Sequence, residues 1–324
     1  MNSRFCVCVG AAAALVAALA VGLDAQQARP PQPGTALSVE QLQAQMFRVS
    51  AGRRLKPKAW PNGARVAVGL TFDVDNVAPS LANGNVLVDV LSRGEYGAID
   101  GLPRILRLLD KYQLPGTFFV PAVSQLMHPQ IIPSIMAAGR HEVGVHGWIH
   151  ENLPALNDPA AEQRLLNQAI ETLTKAAGRK PVGYRAPAWQ FSDATMGQVK
   201  AAGFLYDSSL QASDDPYELL MEKKPTGVIE LPIDWLNDDN AYFGGVANGS
   251  LPDPDIVARI FESEFDQAYE EGGLFNLTMH PHVTGHRSRI VGFEKLIKHM
   301  KSKPGVWFAT EEDIAKYVKA NSGS

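Results

Sequence analysis

The chain has 324 residues, 45% of them hydrophobic, with a formal net charge of −4 and no basic stripe, which leaves room for a sizeable core and excludes nucleic acid as an expected partner. Its two cysteines, Cys6 and Cys8, both fall in an apolar N-terminal run, so disulfides and thiolate chemistry are excluded from the remainder. At ~150 residues per domain the length would allow two domains, but a single α/β barrel also absorbs it.

Residues 1–25 pair Arg4 with the run VCVGAAAALVAALAVGL and close on LDA. This pattern predicts a secretory signal peptide cleaved near Ala25, and hence a secreted or periplasmic protein without a stable membrane span after cleavage. An uncleaved anchor is the competing reading, because the run lies near the lower limit for spanning. Residues 26–61, rich in Gln, Pro and Gly, read as a linker and N-terminal arm with one short helix around Leu37 to Phe47.

From Ala64 onward short apolar runs alternate with amphipathic stretches, the signature of βα units, and residues 62–324 read as one domain. Strands are predicted at Val66 to Phe72, Thr117 to Val120, Glu142 to His146, Gly183 to Arg185, Phe204 to Tyr206, Val228 to Leu231, Leu274 to Met279 and Val306 to Phe308. Helical patterns between them open on Ser or Asp and close on Gly in several cases. The expected fold is α/β, a distorted (β/α) barrel of seven to eight strands, with an open doubly wound sheet as the alternative. The segment DDPYELLMEKKPTG reads as a solvated loop.

Active sites of α/β barrels gather where strands end, and here those ends are loaded. The first strand delivers Asp73 and Asp75, the third His146 and His150, the fourth Arg185 and Trp189, the seventh His280 and His282. His146 and His150 have a spacing that can bring two imidazoles to one cation, and either aspartate could complete the set while the other stays free, since alternation points both to one side. Such a site polarises a carbonyl and acidifies water; the free carboxylate could take a proton, Arg185 could hold it ionised, and His280 could protonate a departing amine. His141, at the far end of its strand, reads as a hydrogen-bonded structural residue. His282 and His286 are as consistent with substrate contact as with a solvated loop, and His128 and His299 have no expected role. Trp148, Trp189, Trp235 and Phe243 could line an apolar mouth.

These residues resemble the polysaccharide deacetylases of the NodB-homology type, carbohydrate esterase family 4, over roughly residues 62–318. TFDVD resembles the motif in which the earlier aspartate is the base and the later one a metal ligand, which implies Asp73 and Asp75 respectively. HGWIH resembles H-[ST]-x-x-H, implying His146 and His150 as ligands. RAPAW resembles R-x-P-[YW], implying that Arg185 orients the base and that backbone near Trp189 binds the oxyanion. LTMH resembles the late L-x-L-H motif, implying His280 as the acid. The aspartate that orients this histidine falls on Asp207, with Asp234 as competitor. Val74 inserted between the carboxylates and Gly147 in place of Ser or Thr look like the branch holding peptidoglycan deacetylase-like, allantoinase-like and cyclic-imide enzymes.

The resemblance implies a hydrolase of non-peptide carbon–nitrogen bonds acting on an amino-sugar polymer; the leader makes it a secreted one, and Trp148, Trp189, Trp235 and His282 are the expected substrate contacts. A divalent metal is implied, zinc by default, with Co, Ni, Fe or Mn also suited to a His/carboxylate site. The alternative substrate is a small cyclic amide such as a cyclic imide or allantoin. More distant readings are a non-haem iron oxygenase, which shares the two-His, one-carboxylate set, and a non-catalytic wall-binding module. Oligomeric state has no signature in the sequence.

Overall fold

The computed structural model describes residues 34–244 and 252–322. The expected leader, residues 1–25, and the start of the expected linker lie outside them. The chain divides into two compact units, Met1–Leu42 and Gln43–Ser324. Ser38 and Gln41 cap the predicted short helix reciprocally: the Ser38 N–H donates to Gln41 Oε1 (2.8 Å) and the Gln41 N–H to Ser38 Oγ (3.3 Å). That helix runs Val39–Met46 and buries no residue.

The second unit is built on a ten-stranded sheet. In chain order the strands are β1 Val49–Arg54, β2 Val66–Asp73, β3 Thr117–Val120, β4 Glu142–Val145, β5 Gly183–Tyr184, β6 Tyr206–Asp207, β7 Tyr217–Met221, β8 Lys224–Glu230, β9 Leu274–Met279 and β10 Val306–Ala309. All eight expected strands are present, with β6 displaced toward Asp207 and β8 beginning earlier than predicted. Parallel pairing runs β8, β6, β5, β4, β3, β2, β9, while β10 lies along the first half of β2. β8 and β9 share no ladder. The segment that follows β8 meets β9 through one bridge, Asp238 to Thr278, and through the Asn276 side chain donating to Pro232 O (3.2 Å). The result is a distorted (β/α) barrel with one loose seam.

β2 shows how the sequence builds this barrel. Every residue of VAVGLTFD is buried, as expected of a parallel strand covered on both faces. Val66, Val68, Leu70 and Phe72 face the outer helices, and Phe72 stacks on Phe118 at 4.8 Å. The alternate residues face inward, which brings Thr71 and Asp73 to the same buried guanidinium, that of Arg185. Gly183 is required by this interior: a Cβ there would stand 2.1 Å from the Tyr206 ring.

The helix Glu311–Asn321 closes the lower end with Ile314, Ala315 and Val318. Its first N–H groups are satisfied by the barrel itself: Glu311 N donates to Thr117 Oγ1 and Glu312 N to Glu142 Oε2, both 2.8 Å. Burial pushes Glu142 up to about 7 and Glu311 up to about 8, so this floor holds carboxyls that favour the neutral form.

Two expectations about the chain's periphery are corrected. DDPYELLMEKKPTG is no solvated loop: β7 and β8 form an antiparallel hairpin within it, turning at Glu222 and Lys223, both with positive φ (50° and 63°). The residues ascribed to linker and arm include β1, which pairs antiparallel with β7, and Trp60, which is buried and donates its indole N–H to Gly272 O (3.1 Å). The end of the arm therefore belongs to the barrel's own sheet and core.

Candidate active site

Asp73 is the last residue of β2, and the Val74 N–H continues the ladder by donating to Phe119 O (2.8 Å), so Asp75 emerges on the same side as Asp73. Ser124 Oγ donates to Asp75 O (2.7 Å) and holds the loop in place. From β4, His146 turns its Nε2 toward both carboxylates, 3.5 Å from Asp75 Oδ1 and 3.7 Å from Asp73 Oδ2. Its Nδ1 faces Arg185 O at 2.8 Å; a carbonyl can only accept, so Nδ1 carries the proton and Nε2 keeps its lone pair.

HGWIH folds back through left-handed backbone at Gly147 (φ 74°) and His150 (φ 61°), closed by Glu151, whose carboxylate accepts from the N–H groups of Trp148 (3.0 Å) and Ile149 (2.9 Å). His150 Nε2 thereby comes to 3.7 Å from Asp75 Oδ2. A Cβ on Gly147 would stand 2.8 Å from Pro187 and 2.9 Å from the Glu151 carboxylate, so the glycine expected to signal a different substrate has a local structural reason. The sequence reading overlooked Glu151, although a carboxylate directly after the second histidine was the available signal.

The donors of Asp75, His146 and His150 all lie within 4.8 Å of one another. Donors ~2.1 Å from a tetrahedral cation stand roughly 3.4 Å apart, close to the separations seen. Asp75 Oδ1 is buried without any hydrogen-bond partner, and burial pushes the carboxyl up despite His146 and His280 nearby. Burial likewise lowers both histidines, toward the neutral form that ligation requires. The residues present fit a divalent cation.

Arg185 is wholly buried and every part of its guanidinium is engaged. Nη1 donates to Asp73 Oδ1 (2.8 Å) and Thr71 Oγ1 (2.9 Å), Nη2 to Ser208 Oγ (2.8 Å), Nε to Ser208 O (2.8 Å), and the plane lies 4.1 Å over the Phe119 ring. Burial by itself would raise the Asp73 carboxyl, but Arg185, with help from His146 and His280, outweighs it and holds the group below its ordinary range. Asp73 Oδ2 is left facing the site.

His280 follows β9 and points Nε2 at the same space, 3.7 Å from Asp75 Oδ2 and 4.0 Å from Asp73 Oδ2. Behind it stands Asp239: Oδ1 meets His280 Nδ1 at 2.7 Å, and Oδ2 accepts from the His280 N–H (3.0 Å) and from Thr284 Oγ1 (2.6 Å). Burial opposes charge on His280, but Asp239, Asp238 and Asp75 overcome it and raise the imidazole well above its ordinary value. The expected orienting residues are thus corrected. Asp207 bonds Ser209 (Oδ1 to Oγ, 3.0 Å) and shares its burial with Glu230, and Asp234 caps the turn at Leu236 N (2.6 Å); neither contacts His280.

Of the expected substrate residues, Trp189 is buried and packs on the half-exposed Trp235 with ring centroids 4.1 Å apart. The Trp189 N–H is committed to Ala186 O (2.9 Å), which corrects the reading of it as an oxyanion donor. Trp148 is half-buried against the core. His282 is half-buried beside His280, rings 5.7 Å apart, and desolvation pushes it down to about 3. Phe243 is buried, so it is not part of an exposed mouth. His141 is buried but neither ring nitrogen has a hydrogen-bond partner, contrary to the hydrogen-bonded role expected of it.

Residues 62–206 match the family model described as polysaccharide deacetylase. A peptidoglycan deacetylase of Helicobacter pylori is 30% identical over 287 residues, spanning 79% of this chain and 97% of that protein. The chain belongs to the polysaccharide deacetylase family. A Mycobacterium smegmatis structure named for a polysaccharide deacetylase is 35% identical, with a TM-score of 0.77 over 85% of this chain and 97% of that one. The PuuE allantoinase structure, 24% identical with a TM-score of 0.74 over 85% and 96%, shares the fold. This polysaccharide deacetylase is accordingly a hydrolase with the barrel its sequence implied.

Proposed function

We propose that this family member removes N-acetyl groups from an amino-sugar polymer of the peptidoglycan or chitin type, using a divalent cation, zinc by default, held by Asp75, His146 and His150. The observation that carries the reading is a pair of groups aimed at one space with opposite proton preferences. Asp73 Oδ2 and His280 Nε2 stand 4.0 Å apart, the carboxyl lowered and the imidazole raised. When bound, a divalent cation supplies a Lewis acid that polarises the acetamide carbonyl and acidifies a water.

Asp73 Oδ2, its other oxygen pinned by Arg185, accepts the proton of the attacking water. His280, charged and steadied by Asp239, delivers its proton to the departing nitrogen, so that acetate and a free amine leave. Trp235, half-exposed and backed by the buried Trp189, offers a flat apolar face suited to sugar rings beside the loops that carry Arg185 and Asp239, and the half-buried Trp148 stands on the loop after His146. The expected leader would place the reaction in the periplasm or outside the cell; N-terminal sequencing of the mature protein tests that part.

The chemistry is tested by acetate release from N-acetylglucosamine oligomers, before and after chelation and with Zn, Co, Ni, Fe or Mn restored, beside succinimide and allantoin under the same conditions. Chelator-sensitive deacetylation is the expected result. Turnover confined to the small rings would overturn the polymer reading.

A further inference from the structure

Beside this centre lies a second cavity of about 520 Å³, within the range of small-ligand sites. It adjoins the reacting groups through two of its lining residues, Asn76, next to the ligand Asp75, and His282, whose ring packs on that of His280. Asn76 is buried and His282 half-buried, and both have buried polar atoms that bond nothing: Oδ1 and Nδ2 of Asn76, and Nδ1 of His282. Buried polar atoms in native proteins are normally satisfied, and here a ligand in the shared cavity would supply the partners.

The rest of the lining has a definite charge. Arg93 and Arg289 face the cavity, and among the described residues no acidic side chain lines it. Arg289 is fixed over the Phe243 ring at 4.3 Å and gives one N–H to Val283 O (3.1 Å), with burial lowering it against the pull of Asp239, and among the described residues no carboxylate forms an ion pair with it. Arg93 is exposed, within 3.8 Å of Asp89 on its own helix. A flat wall is provided by Tyr96 and His286, stacked at 4.1 Å and nearly parallel.

We propose that this cavity is a subsite for a carboxylate borne by the substrate sugar, held by Arg289 and Arg93, with Asn76 and His282 bonding the neighbouring polar substituents. The proposal rests on the deacetylase reading above and narrows its substrate to acidic amino sugars. It is tested by calorimetric binding of N-acetylmuramic acid, which carries a lactyl carboxylate, and of N-acetylglucosamine, which lacks it, to the purified protein, with acetate release measured for both.

The acidic sugar is expected to bind about tenfold more tightly, as one charge-assisted contact supplies. That preference should shrink in Arg289→Gln and in Arg93→Gln and survive in part in Arg289→Lys. Arg93→Gln changes an exposed side chain and keeps the test alive should Arg289→Gln fail to fold. Equal affinities in the wild-type protein, or an undiminished preference in both glutamine variants, would overturn the subsite. Carboxylate-selective binding without acetate release from either sugar, or from oligomers that contain them, would break the deacetylase reading and leave the subsite standing.

Discussion

A buried histidine flanks each end of β4, His141 before Glu142 and His146 after Val145. His146 has its Nδ1 on Arg185 O and its Nε2 before two carboxylates, in a turn held by Glu151. His141 has Phe118 against its ring, 5.3 Å away edge-on, and no partner for either nitrogen; burial, with Arg140 nearby, lowers it to about 4. The same side chain, on the same strand and equally out of water, is a ligand candidate at one end and packing at the other. Burial does not separate them. What separates them is whether several strands send polar groups to the same point.

The largest effect should come from the converging end. Asp75→Ala or His146→Ala is expected to lose the bound metal and more than the ~100-fold in activity that removal of an outer partner costs. Metal analysis beside acetate release checks it, and a fully active, metal-loaded variant would undo the contrast between the two ends.

Asp239→Asn should lower kcat by ~10²-fold. It should also move the basic limb of the pH–rate profile to lower pH, because the carboxylate is the chief group keeping His280 protonated. Asp207→Asn, removed from that histidine, should leave the limb in place. An unmoved limb in the Asp239 variant would remove the orienting role from Asp239.

Gly147→Ser sharpens the comparison inside the turn. The left-handed backbone and the crowding by Glu151 should cost ~1–3 kcal/mol of stability, read by urea unfolding, with weakened metal retention. The smallest effect belongs to the packing end, and its sign is opposite in pH. A folded value near 4 lies below that of a free histidine, so as pH falls below ~6.5 the unfolded chain takes up the proton first and stability drops toward pH 4. His141→Leu should flatten that acid slope by ~1–3 kcal/mol and leave activity unchanged, whereas lost activity would mean that the far end also serves the site.

Much of this was legible before the structure because the barrel writes itself in two strong patterns. The parallel strands are near-continuous apolar runs, and the candidate ligand and base residues stand where those runs stop. Asp239 was missed because LNDDNAYF lies beyond a short turn and not at a strand end; two adjacent aspartates there cap a helix and orient a histidine, and spacing does not distinguish those tasks. The β7–β8 hairpin was missed because its turn uses Glu222 and Lys223 in left-handed backbone, where Asn-Gly or Asp-Gly would have announced it. β1 was missed with it, since an edge strand reading VSAGRR carries no alternating apolar face and gains its order from the hairpin it joins.

The place of β2 in the sheet bears on how the protein comes to be. Its partners on both sides include segments from the far end of the chain: Ala67 pairs with Leu274, and Val66 with Val306. Contacts so distant in sequence must await loop closure and slow the route to the native state. A nascent chain that stops short of β9 therefore leaves the strand that carries Asp73 with a bare edge, and the hydrolytic centre can assemble only once β9 and His280 have emerged.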